Sequence, residues 1–267
     1  MKLSFPLPVL QLLSAIIIAA SVISAPRTAS AQAPAAVGTD VVILKPQTPS
    51  GPPQQLANVQ ILNVRGGKFT VKDANGEIPY DIARIQEVRK AAPPEFAQGR
   101  AALEAGELDK ALILIKGIAD RYKGLPTAWA SEATLMVGNI CVNLGKLAEA
   151  ETAFNEFEKI YPGTGATAAS IGRARIAAER GNTAEARSVA EPLVKDALTK
   201  KTVTRAESQL YGQAYYILGK VAETEGKLPE AMENYCRTVA IFYQDHSVVS
   251  VAEKRIDALR TKGITTP

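Results

Sequence analysis

Gly106-Glu-Leu-Asp-Lys-Ala111 recurs three times with small changes, as Gly145-Lys-Leu-Ala-Glu-Ala150, Gly181-Asn-Thr-Ala-Glu-Ala186 and Gly226-Lys-Leu-Pro-Glu-Ala231. In each copy the glycine favours the left-handed backbone that ends a helix, and the polar residues after it suit a turn and a new helix start. Successive glycines are 39, 36 and 45 residues apart. Units of this kind cannot bury their apolar faces singly, so the sequence predicts a stacked array of helical hairpins.

Small and large residues alternate around these turns in a way that suits close helix packing. Small residues on both helices allow the two axes to approach, and a large residue on the second helix fills the space toward the next hairpin. The pattern resembles that of tetratricopeptide repeats, and the resemblance assigns these packing positions to Gly99, Ala111, Gly138, Ala150, Phe154, Ala174, Ala186, Gly219, Ala231 and Tyr235.

The four repeats match the tetratricopeptide pattern to different degrees. The second repeat matches best, because Gly138 and Ala150 occupy the small positions, Phe154 and Phe157 the large ones, and Tyr161-Pro162 closes the unit. The third repeat matches least, with Ala174 in place of glycine and Ala190 where an aromatic residue is expected. The resemblance implies about four helical hairpins over residues 95–246 and a capping helix over residues 247–262.

The segment before the repeats has short apolar runs that are typical of strands. Val41-Val42-Ile43-Leu44, residues 56–64, 68–72 and 77–82, and a last piece around Ile85 and Val88 predict five strands, with hairpin turns at Gly66-Gly67 and Asn75-Gly76. Residues 39–90 resemble the small Sm-like or SH3-like β-modules that precede helical repeats in some exported bacterial proteins. Consecutive prolines within residues 91–94 predict a linker. The predicted fold class is mainly α: a tetratricopeptide-like helical-hairpin solenoid preceded by a small β-barrel-like module.

The first residues have the composition of a secretory signal peptide. Lys2 is followed by an apolar run from Val9 to Ile23, and Ala29-Ser30-Ala31 suits a cleavage site. We therefore expect a signal peptide over residues 1–31 and a flexible lead-in over residues 32–38, with an uncleaved anchor as the alternative. The expected location is the periplasm, with an extracellular location as the alternative, and no stable membrane insertion after cleavage.

The charge balance and the two cysteines bear on which partners and which cross-links to expect. The whole chain has 31 basic and 27 acidic residues, and removal of the leader leaves 29 basic residues. Such a nearly balanced charge argues against a nucleic-acid partner. Cys141 and Cys236 lie in different repeats with apolar neighbours, so we expect two unbridged, buried thiols, with a disulfide between them as the alternative.

The sequence lacks the convergent side chains that catalysis needs. The chain has one histidine, His246, and no cysteine or histidine pairs with metal-ligand spacing. We expect no catalytic site, no metal site and no cofactor.

The remaining candidate is a peptide-binding surface, which the family resemblance implies on the first helix of each hairpin. The positions one residue after the small residue of that helix are Arg100, Asn139, Arg175 and Lys220, and Asn143 lies one turn beyond Asn139. Arginine and amide side chains offer directed donors for peptide carbonyls or a carboxylate. The competing interpretation is a row of solvated side chains, because Glu104 and Glu179 can neutralise Arg100 and Arg175 within their helices.

These observations predict a non-enzymatic protein–protein interaction scaffold or adaptor of the bacterial cell envelope that binds a protein or peptide partner. The alternative is a cell-wall-binding protein that uses the β-module, with the repeats as a spacer or oligomerisation element. Self-association of the repeats into a homo-oligomer is a further expectation.

Overall fold

The computed structural model describes residues 38–243 and 246–265, without the side chains of residues 246 and 247. The predicted signal peptide, residues 1–31, lies outside these residues. The predicted lead-in also lies outside them, apart from residue 38. All described residues belong to one compact unit.

Nine α-helices follow one another in the described part of the chain. Their bounds are α1 Pro94–Glu104, α2 Leu108–Arg121, α3 Ala128–Asn143, α4 Leu147–Ile160, α5 Ala166–Glu179, α6 Thr183–Thr199, α7 Arg205–Thr224, α8 Leu228–Ala240 and α9 His246–Thr261. The first eight pair as consecutive hairpins, which confirms the predicted fold class. We call α1, α3, α5 and α7 the A helices, and α2, α4, α6 and α8 the B helices.

The recurrent glycine fixes the turn inside each hairpin. The φ angles lie between 72° and 78° at Gly106, Gly145, Gly181 and Gly226. A β-carbon at any of these glycines would meet no atom within 4 Å, so the requirement for glycine comes from the left-handed backbone and not from crowding. In the first turn the Glu107 N–H donates to the Ala102 carbonyl at 2.9 Å, which satisfies an acceptor left open by the helix end.

The same turn occurs a fifth time, after α9. Gly263 has a φ of 78° and follows Gly226 by 37 residues. The Ile264 N–H donates to the Leu259 carbonyl at 3.1 Å, as the corresponding N–H does in the earlier turns. Helix α9 therefore ends in the way that an A helix ends.

Glycines of the A helices make room for large side chains of the B helices. A β-carbon added at the glycine would lie 2.6 Å from the facing side chain in three hairpins, in the pairs Gly99 with Ile115, Gly138 with Phe154, and Gly219 with Tyr235. The four alanines that follow the turns are all fully buried: Ala111, Ala150, Ala186 and Ala231. The helices can therefore pack with their backbones close together.

The third hairpin reaches the same arrangement with smaller residues. Ala174 and Ala190 lie in one buried cluster together with Ile171. The insertion that separates this hairpin from the next lengthens helices, because α6 extends to Thr199 and α7 begins at Arg205. A capping box between Thr204 and Glu207 fixes the start of α7.

The five predicted strands form one open antiparallel sheet before the helices. Their bounds are β1 Asp40–Leu44, β2 Gln54–Arg65, β3 Lys68–Asp73, β4 Gly76–Asp81 and β5 Ile85–Arg89, in the spatial order β4-β3-β2-β1-β5. Pro79 lies on the edge strand β4, where a residue without an N–H is tolerated. The buried Asp40 carboxylate accepts from the Ile61 N–H at 2.8 Å and from Lys90 Nζ at 2.9 Å, which supports the bulged pairing of β1 with β2.

The sheet and the first two hairpins share one hydrophobic core, which includes Phe69 and Ile85 of the sheet and Phe96 of α1. Two directed bonds reinforce this contact: Trp129 Nε1 donates to the Lys90 carbonyl at 2.9 Å, and Arg121 Nε donates to the Leu62 carbonyl at 2.8 Å. The sheet therefore packs against the helical array through this core and these two hydrogen bonds.

Helix α9 packs mainly on α8 and also contacts α7, α3 and α1. Its buried row is Val248, Ala252, Ile256 and Leu259. Glu253, Lys254 and Arg260 are exposed on its other side, as a solvated capping helix requires. Within residues 38–243 and 246–265, no helix combines the length and the apolar character needed to cross a membrane.

Candidate functional site: the A-helix face

All five predicted peptide-binding residues lie on A helices. Arg100 is on α1, Asn139 and Asn143 on α3, Arg175 on α5, and Lys220 on α7. The structure brings them together as two groups: a polar cluster around Arg175, and a cavity whose lining includes Arg100 and Asn139. Their role in peptide binding stays a prediction.

Arg175 is buried and is held by side chains of the neighbouring A helices. Only 1% of its surface is exposed. Its Nη1 donates to Asn139 Oδ1 at 3.3 Å, and its Nη2 donates to Asn143 Oδ1 at 2.6 Å. The guanidinium carbon lies 5.4 Å from the centroid of the Tyr216 ring, a distance at which the ring face attracts a cation. Arg175 therefore joins α3, α5 and α7.

Lys220 is also held internally. Its Nζ lies 3.0 Å from Glu179 Oε2, with 11% and 22% of the two side chains exposed. The Tyr216 hydroxyl donates to the other oxygen of Glu179 at 3.3 Å. Burial raises the pKa of Tyr216 to about 12, although the nearby Arg175 acts in the opposite direction, so the phenol stays neutral and keeps its donor at neutral pH.

The polar cluster continues toward α9 through Glu223 of α7. Glu223 Oε2 accepts from the Tyr235 hydroxyl at 2.9 Å, and Glu223 Oε1 lies 3.5 Å from Arg255 Nη1 of α9. Helix α9 is therefore held by its buried apolar row and by the ion pair from Arg255 to Glu223 of the A helix α7.

A cavity of about 430 Å³ opens between the A helices. Its apolar lining consists of Leu103, Leu135, Met136, Ala168, Ala206 and Leu210, together with Gly165 at the N-cap of α5. Its polar lining consists of Arg100, Glu104, Glu132, Asn139, Thr167, Gln209 and Gln213. Because these residues come from α1, α3, α5 and α7, the cavity exists only when all four hairpins are stacked. We call it the A-helix cavity.

The residues that give the cavity its apolar character are missing from the predicted site. Leu135 lies four residues before Asn139, and residues four apart share one face of a helix. The equivalent positions of the other A helices hold Phe96, Ile171 and Tyr216, which are apolar or aromatic as well. Those three side chains are buried and do not line the cavity. Extending the predicted row by one turn toward the helix start therefore finds Leu135 but not Met136 or Leu210.

The two thiols lie apart from this site and are both free. Cys141 is buried in α3, and burial raises the pKa of its thiol, so the group stays protonated and acts as a small apolar side chain. Cys236 is partly buried in α8.

Among solved structures, the chain is similar to two structures of MamA. "MamA 41-end from Desulfovibrio magneticus RS-1" is 19% identical, with a TM-score of 0.34, over 64% of this chain and 98% of that chain. The "MamA RS-1 ArsTM double mutant" is also 19% identical, with a TM-score of 0.34, over 65% of this chain and 98% of that chain. No curated protein sequence matches the chain.

A model of the tetratricopeptide repeat family matches residues 96–164 and 171–246, which together make up more than half of the chain. The matched residues include the first four turns, the glycine–aromatic contacts and most of the residues that line the A-helix cavity. The chain belongs to the tetratricopeptide repeat family.

Proposed function

We propose that this protein is a non-enzymatic scaffold that binds a segment of a partner protein in the A-helix cavity. Tetratricopeptide repeats form protein-interaction scaffolds, and the family match supports that general role. The specific site rests on one observation: four A helices jointly line a cavity of about 430 Å³ with partly exposed apolar and amide side chains. Its volume is in the range of ligand-binding pockets.

The lining side chains suit recognition of a polypeptide. Leu135, Met136 and Leu210 are partly exposed and offer apolar contacts to a partner. The Gln209 amide carries donors and an acceptor that can pair with a peptide main chain. A segment that enters the cavity would therefore contact elements of all four hairpins at once.

Site-specific photo-crosslinking in source cells tests this proposal. A photo-reactive residue placed at Gln209 of the full chain should form a covalent adduct with a partner protein. The same residue at Ile113, which is 74% exposed on the B helix α2, is the matched control and should not form that adduct. Adducts of the same proteins from both positions, or none from Gln209, would contradict the proposal.

A second variant tests the same site by loss of binding. Met136→Glu places a charge in the apolar lining and should abolish the Gln209 adduct, while Ile113→Glu should leave it unchanged. Circular dichroism of both variants checks that the helices remain folded.

We also propose that the protein is exported and acts in the periplasm. The support is the sequence alone: Lys2, the apolar run and Ala29-Ser30-Ala31. The mature protein should begin at Gln32. Mass spectrometry of the N-terminal peptide from fractionated cells measures this directly, and an intact Met1 would contradict cleavage.

A further inference from the structure

The charges that line the A-helix cavity do not favour an acidic ligand. Arg100 is the cation of the described lining, and its Nη1 lies 3.8 Å from Glu132 Oε1. Glu104 adds a second carboxylate to the same lining. A ligand carboxylate would therefore meet two carboxylates and one cation, and like charges placed together at an interface are costly.

The other predicted cations contribute to folding contacts on the same face. Arg175 is 1% exposed and donates to Asn139 and Asn143. Lys220 is 3.0 Å from Glu179, with 11% of its side chain exposed. A ligand that recruited either cation would have to break a largely desolvated contact, and breaking such contacts is strongly unfavourable.

The apolar lining is placed where a ligand can reach it. Leu135, Met136 and Leu210 are partly exposed and come from two different A helices, α3 and α7. Burial of such surface contributes about 25 cal/mol per Å². The unbranched, polarisable side chain of methionine adapts to differently shaped apolar partners.

We infer that the A-helix cavity recognises a segment of a partner protein by the apolar side chains of that segment, and that it does not bind an acidic segment or a terminal carboxylate. This inference rests on the proposed function and defines the partner class for the same site. The apolar side chains of the segment contact Leu135, Met136 and Leu210. Its main chain pairs with the Gln209 amide.

Selection from a random peptide library tests the partner class without knowledge of the natural partner. Phage-displayed 12-residue peptides are panned on the full chain, and the most enriched peptide is synthesised with an acetylated start and an amidated end. We expect enriched peptides to carry two or more large apolar residues and no acidic residue. Fluorescence anisotropy then gives the dissociation constant of the labelled peptide.

Salt and substitutions separate apolar from ionic recognition. Between 50 and 500 mM NaCl the dissociation constant should change less than about twofold, because salt screens charge–charge contacts and not apolar ones. Met136→Glu and Leu210→Glu should each weaken binding about tenfold or more. The control Ile113→Glu should leave binding within about twofold, with circular dichroism as the check on folding.

The outcomes distinguish this inference from the proposed function. The inference would be overturned if acidic peptides were enriched, if Arg100→Gln abolished their binding, and if high salt weakened it about tenfold. The A-helix cavity would then remain a binding site, as the proposed function states. Failure to enrich any peptide over the Met136→Glu variant would overturn both.

Discussion

The second and third hairpins have the same turn and nearly the same length, yet their interiors differ. In the second, Phe154 is fully buried and lies against two glycines, Gly138 of its own hairpin and Gly172 of the next. In the third, Ala190 takes the place of the aromatic residue, and the buried cation Arg175 lies on the adjoining face. The turn therefore specifies the hairpin, while the interior is free to be aromatic or small as long as volumes match across the helices.

The largest expected effect comes from removal of the aromatic residue of the second hairpin. Phe154→Ala leaves a cavity between two hairpins and should lower the free energy of unfolding by about 3–5 kcal/mol. Urea unfolding followed by circular dichroism measures this loss. Ile113→Ala is the exposed control and should stay within about 0.5 kcal/mol of the parent. A loss below about 1 kcal/mol for Phe154→Ala would contradict the close packing described here.

High pH should lower the stability of the folded protein by ionising Tyr216 of α7, which contacts Arg175 and Glu179 of the third hairpin. Burial raises the pKa of Tyr216 to about 12 from an ordinary value of 10. The folded state thus holds the phenol proton more tightly than the unfolded state does, so its stabilising contribution is complete below pH 10 and is lost as pH rises toward 12. This loss amounts to about 2–3 kcal/mol.

Tyr216→Phe provides the control for this pH effect, because the variant has no phenol to ionise at that position. The free energy of unfolding, measured from pH 9 to pH 12, should fall less steeply in the variant than in the parent. Equal slopes would show that other groups account for the loss.

Removal of the buried cation tests how the third hairpin is joined to its neighbours. Arg175→Leu deletes two charge-assisted hydrogen bonds and leaves the Asn139 and Asn143 carbonyl oxygens without this donor, so we expect a loss of about 1.5–3 kcal/mol. Arg180→Leu, which removes an exposed ion pair to Glu151, is the matched control and should cost less than about 1 kcal/mol. Equal losses would argue against a special role for the buried site.

Added volume tests the glycine contacts of Phe154. A β-carbon at Gly172 would lie 2.2 Å from Phe154 Cζ, so Gly172→Ala should cost about 1–3 kcal/mol. In a double-mutant cycle, the same change should cost less in a Phe154→Ala background, because the ring is absent. If Gly172→Ala cost the same in both backgrounds, contact with the Phe154 ring would not be the reason for glycine at this position.

The smallest expected effect concerns the turn that both hairpins share. Gly145→Ala and Gly181→Ala each force a residue with a β-carbon into the left-handed region, at φ angles of 72° and 78°. We expect a loss of about 1 kcal/mol in each, and the same loss within error, because the space around both glycines is open. Clearly different losses would show that the two turns are not equivalent.

The sequence was sufficient to predict the helical array because its signals are local. Gly145 needs a left-handed backbone whatever surrounds it, and Gly138 and Ala150 mark close approach by their size alone. The fifth turn at Gly263 carries the same signal, 37 residues after Gly226, and could have been recognised in the same way.

The sequence placed the five predicted residues on the A helices but did not predict the environment of each side chain. Helical periodicity puts Arg100, Arg175 and Lys220 at equivalent positions, which suggests one cationic row. The structure instead buries Arg175 against Asn139, pairs Lys220 with Glu179, and leaves Arg100 at the cavity. Equivalent positions acquire different environments because each depends on the side chains of the neighbouring hairpins.

The sequence by itself determined the order of sheet and hairpins, the turn positions and the small and large packing residues, since each follows from backbone preference or side-chain size. Only the tertiary structure decided which charges are buried, that α9 contacts α1 and α3, and that four A helices jointly line one open cavity. These properties depend on distances between residues far apart in the chain. Such distances are set by the stacking of all four hairpins.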